Sequence, residues 1–236
     1  MRCLACFVLV SVSVSTALAH TTVRVQQTCP LCSKAFEAVL DASGTQFGVR
    51  LDLKPLGPIA APWAVPVCPD CKFVLYADNI DKTELEKCRK IVAGERYKAA
   101  AQRSSYHLLG ILREELGRDE LTLAWTFLQA SWQEEGKKDS CTEDLKLALK
   151  HFQTFVAAPG EKGEKWQNAC LLSGEIERRL GKFDEARKRF TALAADKDFQ
   201  KDILKHVIKC QLTLIDKKDS DPHEVPAGED AEKPGR

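Results

Sequence analysis

The chain has almost no net charge: 35 Lys and Arg stand against 34 Asp and Glu, leaving +1 over 236 residues. It therefore lacks the one-signed field that draws a protein to nucleic acid or to an anionic membrane. Beyond residue 19 no apolar run is long enough to cross a bilayer. No Gly-rich phosphate loop, H-E-x-x-H or G-x-S-x-G is present, so nucleotide, zinc-protease and serine-hydrolase chemistry have no candidate residues. Asp and Glu are plentiful, but they fall on amphipathic helical segments where a solvated face explains them. A binding protein is thus a better expectation than an enzyme. Long disorder is excluded for most of the chain, because 44% of residues are hydrophobic and 29% charged, an ordinary globular composition.

What the chain does have is cysteine, ten in all. The first two, Cys3 and Cys6, lie in a segment that reads as a signal peptide. Arg2 is its only charge, Cys3 to Val14 is apolar, and Ala17-Leu18-Ala19 forms an A-x-A cleavage site. Residues 1–19 are therefore expected to be removed on export, to the periplasm or the extracellular space. That leaves a soluble protein starting at His20 with eight cysteines and no membrane contact.

Two of the cysteine pairs share a spacing. Cys29-Pro30-Leu31-Cys32 and Cys68-Pro69-Asp70-Cys71 are separated by 35 residues. A C-x-x-C loop turns both sulfurs toward one point, and two loops supply the four thiolates of a tetrahedral zinc site. Proline after the first Cys sets φ and removes a competing backbone donor. Strand-like runs lie around the pairs at Thr22–Val25, Phe47–Leu53, Trp63–Val67 and Phe73–Tyr76, punctuated by Pro55, Gly57, Pro58 and Pro62. Residues 20–80 thus read as a small zinc-ribbon-like module of β-hairpins, too small to be stable without its metal. Lys34, Arg50, Lys54 and Lys72 are candidates to offset the charge of a zinc–tetrathiolate centre.

Two other readings of the pairs stay open. In a thiol–disulfide oxidoreductase, Thr22–Gln26 would be a strand and Ser33–Asp41 a helix, with Cys29 and Cys32 at the helix N-terminus that lowers a thiol's pKa. Against this, no long crossover helix is visible and the second pair has no role. Alternatively, the pairs are inert local disulfides.

From Asp81 the apolar period becomes 3.6, giving a helical domain over residues 81–215. Asp81 with Glu84 reads as a capping box for a helix burying Leu85, Cys88 and Val92. One long helix is expected over 95–116, ending at Gly117. Ser140 with Glu143 should cap a later helix. Two helix pairs have tetratricopeptide features. In the better one Gly174 permits close approach, Gly181 makes the turn, and Ala186 and Phe190 are the packing positions of the second helix. The weaker pair uses Leu109-Gly110, Gly117, Ala124 and Leu128. A generic helical hairpin bundle is the alternative. If the repeat reading holds, Ser104, His107, Ile111, Asn168, Leu171, Glu175 and Arg178 line a concave groove for a partner protein.

The order of motifs adds a resemblance. Cys29-Pro30-x-Cys32-x-x-x-Phe36, Cys68-Pro69-x-Cys71, then Ala124-Trp125, Ala130-x-Trp132 and Arg178-Arg179-Leu180-Gly181-Lys182-Phe183-Asp184-Glu185-Ala186 resemble a bacterial domain-of-unknown-function family. In that family two CPxC zinc knuckles precede tetratricopeptide-like helices. The resemblance spans most of residues 29–215 and implies a fold but no activity. Glycine commonly follows the second Cys of such knuckles, where it relieves the turn; here Ser33 and Lys72 stand instead.

The remaining residues of note carry less. Cys88, Cys170 and Cys210 lie at or near apolar helix stripes and Cys141 near a helix start, so they read as small hydrophobes, with a disulfide among them as the alternative. Trp125, Trp132 and Trp166 sit at helical spacing and read as core. An N-terminal His20 can chelate copper, but no partner for it stands out among His107, His151, His206 and His223. Asp216–Arg236 is rich in charge, Pro and Gly without an apolar period, and reads as a disordered tail.

Overall fold

The computed structural model describes residues 20–160 and 162–226. The expected signal peptide at 1–19 and the last part of the expected tail lie outside the described residues. The chain is mainly helical, with a small antiparallel sheet at the start of the described region.

That sheet is a hairpin of β1 (Thr21–Thr28) and β2 (Ala35–Ser43), in register from Thr22↔Asp41 to Thr28↔Ala35. Its turn is the first CPxC loop. Residues 33–41, considered above as a helix, are thus part of a turn and a strand. The β-branched and alternating run Thr21–Val25 finds its ladder partner directly across the loop, and pairing outweighs the weak helical spacing of Phe36, Val39 and Leu40. Phe47–Leu53 yields only a two-residue strand, β3 (Gly48–Val49), paired with β4 (Pro55–Leu56). Between them residues 50–53 turn sharply, with Leu53 at φ 66°. The runs Trp63–Val67 and Phe73–Tyr76 form no named strand and meet in a single bridge, Val67↔Val74, across the second CPxC loop.

Eight α-helices follow among the described residues. They are α1 (Lys82–Ala93), α2 (Glu95–Ala99), α3 (Ser105–Glu115), α4 (Glu120–Gln133), α5 (Lys138–Ala157), α6 (Glu164–Arg179), α7 (Phe183–Ala195) and α8 (Asp202–Asp216). Asp81 caps α1, accepting from the Glu84 amide at 2.8 Å. The long helix expected over 95–116 is two. Ser104 takes an extended φ/ψ and caps α3 through the His107 amide, so the chain breaks after α2. Ser140 lies inside α5, whose N-cap is Lys137, and caps nothing.

From α3 onward each helix packs on the next, and α8 returns to touch both α7 and α6. Gly117 and Gly181 both hold φ +71° at the turns that close α3 and α6, as the helix-stop reading requires. Gly110 and Gly174 let their helices approach closely. A Cβ at Gly110 would lie 2.4 Å from the Phe127 ring, and one at Gly174 2.6 Å from the Phe190 ring.

Three apolar clusters run along the molecule. The first joins Cys29, Leu31, Cys68, Phe73 and Val74 to Cys88, Tyr97, Leu108, Leu109 and Leu112. Residue 80 is therefore not a packing boundary: the cysteine loops share one core with α1–α3. The second cluster centres on α4–α6 and the third on α6–α8.

Of the segment read as a disordered tail, residues 216–226 are described: Asp216 ends α8, and the chain beyond it returns to the N-terminal half. The Leu51 amide donates to His223 O and the Val225 amide to Val49 O, each at 2.8 Å. Tail composition gives no apolar period, but backbone pairing to a strand edge does not need one.

Candidate metal centre

The two CPxC loops adopt the same backbone conformation. In the first, the Ser33 amide donates to Cys29 O and the Cys29 amide to Lys34 O, both at 2.9 Å. In the second, the Lys72 amide donates to Cys68 O at 3.0 Å and the Cys68 amide to Phe73 O at 2.9 Å. The residue after each second cysteine is left-handed, with φ 60° at Ser33 and 62° at Lys72. These are the positions where a glycine was noted as missing, and the turn forms without it.

The helical half grips each loop by one carbonyl. Arg89 Nη1, from α1, donates to Leu31 O at 2.6 Å. Tyr97 Oη, from α2, donates to Lys72 O at 2.9 Å. Both loops face each other across this anchor and bring Cys29, Cys32, Cys68 and Cys71 together, all four sulfurs within 4.8 Å of one another. Cys29 Sγ lies 3.5 Å from Cys71 Sγ, and Cys32 Sγ 3.5 Å from Cys68 Sγ. Tetrahedral ligands on metal–sulfur bonds of about 2.3 Å would be about 3.8 Å apart, close to what is seen. The donor set therefore fits a metal ion.

Burial follows the loop symmetry. Cys29 and Cys68, the first of each pair, are buried, whereas Cys71 is half-buried and Cys32 exposed. Burial pushes the Cys29 thiol up, against the backbone N–H groups that face it. Burial and the neighbouring sulfurs push Cys71 up as well. The exposed Cys32, facing the Lys34 amide, is lowered to about 7.

The expected counter-charges divide. Lys34 pairs with Asp70 at 3.7 Å, between the two loops, and Lys72 sits in the second loop. Arg50 and Lys54 are elsewhere, both on Glu135. Arg50 also pairs with the fully buried Asp52. Asp52 further accepts from Trp132 Nε1 at 3.1 Å and Arg179 Nη1 at 2.7 Å. This junction ties the 50–54 turn to α4 and α6, and nothing local in the sequence announces it.

The proposed groove residues are mostly interior. His107 is buried and its Nδ1 donates to Asp144 Oδ1 at 2.6 Å. Ile111 is core. Arg178 is fully buried and forks onto Glu175, with Gln211 beside both. These groups satisfy one another and cannot face a partner; Ser104 caps α3, and Leu171 packs on the third cluster. Asn168, by contrast, lines a cleft. The other described cysteines are free thiols, with Cys88, Cys141 and Cys170 buried and Cys210 half-buried. His20 Nε2 is held by Asp41 at 2.8 Å.

Comparison with family models, curated proteins and solved structures yields no match for this chain. Among the described residues no helix is long and apolar enough to cross a membrane.

Proposed function

We propose that this is an exported zinc-binding module that presents its helical half to another protein, as an interaction or scaffold component. Cys29, Cys32, Cys68 and Cys71 hold one zinc ion in a closed site with no open coordination position. The observation that carries this reading is the pair of matching loops whose four sulfurs converge within 4.8 Å. Zinc suits an all-thiolate tetrahedral set and brings no redox chemistry of its own. Its role here is to cross-link two loops 35 residues apart and, through Arg89 and Tyr97, to fasten them to α1–α3.

The alternative, a thiol–disulfide oxidoreductase using Cys29 and Cys32, draws less support. The first pair lies in a hairpin turn, so no helix N-terminus activates a thiol, and Cys29 is only 1% exposed. Metal content and accessible thiols, measured on protein prepared without chelator or reductant, separate the two readings. One zinc per chain, with four thiols released only on metal removal, is the expected result. No metal, with Cys29 and Cys32 oxidised and readily reduced, would overturn it.

A further inference from the structure

Arg113, near the C-terminal end of α3, is half-buried. Every other arginine that the fold shields strongly has an acidic partner. Arg50 and Arg179 share Asp52, Arg103 meets Glu134 and Asp144, Arg178 meets Glu175, and Arg189 meets Glu177. Arg113 has none within ion-pair distance among the described residues. One Nη atom donates to Thr126 Oγ1 at 2.6 Å. Burial holds the guanidinium below its ordinary range, and the nearby Arg118 adds to that. Asp119, whose charge acts weakly on Arg113, is engaged in capping α4 through the Thr122 amide and hydroxyl. A shielded cation without a counter-charge is costly.

This side chain lines a cleft of about 540 Å³ between α3, α4 and α6, together with Lys165, Asn168, Thr122, Trp125 and Leu121. The wall is two-natured. Two cations, an amide and a hydroxyl can bind an anion, while the Trp125 ring and Leu121 offer an apolar flank. A guanidinium fork matches a carboxylate through two parallel hydrogen bonds. Trp125 packs edge-on against Phe152, with ring centroids 5.9 Å apart, which fixes the flank's position.

We infer that this cleft binds a carboxylate that carries an adjacent apolar group, as at the C-terminus of a peptide ending in a large hydrophobic residue. Arg113 takes the carboxylate, Lys165 adds charge at the rim, and Trp125 with Leu121 holds the apolar side chain. The inference rests on the reading of the helical half as a partner-binding face and names the chemistry of that partner.

The test is an NMR titration of the metal-loaded chain with N-acetyl-phenylalanine, followed at the Trp125 indole N–H and the Arg113 Nε–H, with N-acetyl-phenylalanine amide as the uncharged twin. The free acid should move both signals saturably, and the amide should bind at least about tenfold more weakly, as expected for loss of a charge-assisted pair. Arg113→Gln should weaken the acid by a similar factor and leave the thermal midpoint unchanged or higher, since it removes a shielded charge that has no internal counter-charge and glutamine can still donate to Thr126. Lys165→Gln, at an exposed position, should weaken binding severalfold with the fold untouched. Acid and amide behaving alike, no response at Trp125, or a marked fall in the Arg113→Gln midpoint would each overturn the inference. Protein that contains no zinc when prepared without chelator, yet discriminates acid from amide, would overturn the zinc reading alone. A zinc-loaded protein that does not discriminate would overturn this one alone.

Discussion

Ser33 and Lys72 hold φ 60° and 62° at matched places in the two cysteine loops. A side chain in the left-handed region costs about 1–2 kcal/mol, a cost that glycine avoids. Ser33→Gly and Lys72→Gly should therefore each stabilise the metal-loaded protein by up to about 1 kcal/mol, the remainder being offset by glycine's greater freedom when unfolded. Urea denaturation with zinc in excess measures it, and a loss of stability in either variant would contradict the strain argument. The opposite sign is expected at the helix crossings. Gly→Ala inside a helix ordinarily gains about 1 kcal/mol from propensity. At Gly174 the new methyl would sit 2.6 Å from the Phe190 ring, and overpacking of this kind costs about 1–3 kcal/mol. Gly174→Ala should destabilise on balance, and Phe190→Leu in the same chain should recover part of the loss, as the denaturation midpoints of the two variants will show.

At the scale of elements, the 50–54 turn is held to α4 and α6 by one buried carboxylate. Burial alone would raise the Asp52 pKa, but Arg50 and Arg179 outweigh it and hold the group below the usual carboxylate range. A carboxyl whose pKa is depressed on folding contributes stability above its unfolded value, and that contribution is lost as pH falls through the folded one. Asp52→Asn leaves two shielded guanidinium groups without their shared partner and should cost about 3–5 kcal/mol near pH 7. The gap between wild type and variant should close as pH drops below about 4, where the unfolded carboxyl takes up its proton. Urea midpoints at neutral and acid pH check both statements; a gap independent of pH would show that packing, not charge, holds the turn. Hairpins around the cysteine pairs were readable, yet the second strand of the first one, Ala35–Ser43, was not. The apolar spacing in 33–41 fits a helix as well as a strand until β1 is present as a partner. The break between α2 and α3 is hidden for a similar reason: Ser104 becomes a cap only once its backbone is extended, and its amide is held there by Glu134, just past the end of α4, at 2.7 Å.

For the whole molecule, the cysteine loops and the first helices share one apolar cluster. Cys29 and Cys68 are part of the same apolar cluster as Leu108, Leu109 and Leu112. Removing the metal should release both loops and, with them, the support under α1–α3. Structural zinc sites contribute on the order of 10 kcal/mol to folding. Hydrogen exchange after chelation should thus rise across 21–43, 66–75 and α1–α3, while amides of α6–α8, built on the separate third cluster, keep most of their protection. Cys68→Ser should give the same pattern without chelator. Uniform protection in both cases would mean that the cysteine loops fold independently of any metal.

Local chemistry was enough to predict that the four cysteines come together, the helical second half, and the glycines at 110, 117, 174 and 181. Each of these follows from spacing along a short stretch of chain, or from a conformation that one residue type tolerates. The groove residues are the opposite case. His107, Glu175 and Arg178 look like a polar face by position, but their partners Asp144 and Gln211 lie more than 30 residues away. The pairing of Asp52 with Arg179 spans 127 residues, and the return of residues 223–225 to β3 spans more. Periodicity shows which side of a helix is apolar, not which polar groups will be shielded together. Whether a charge ends up inside with a counter-ion, or half-shielded without one as at Arg113, depends on helices that meet only when the chain is packed, where the low dielectric makes each such pairing decisive.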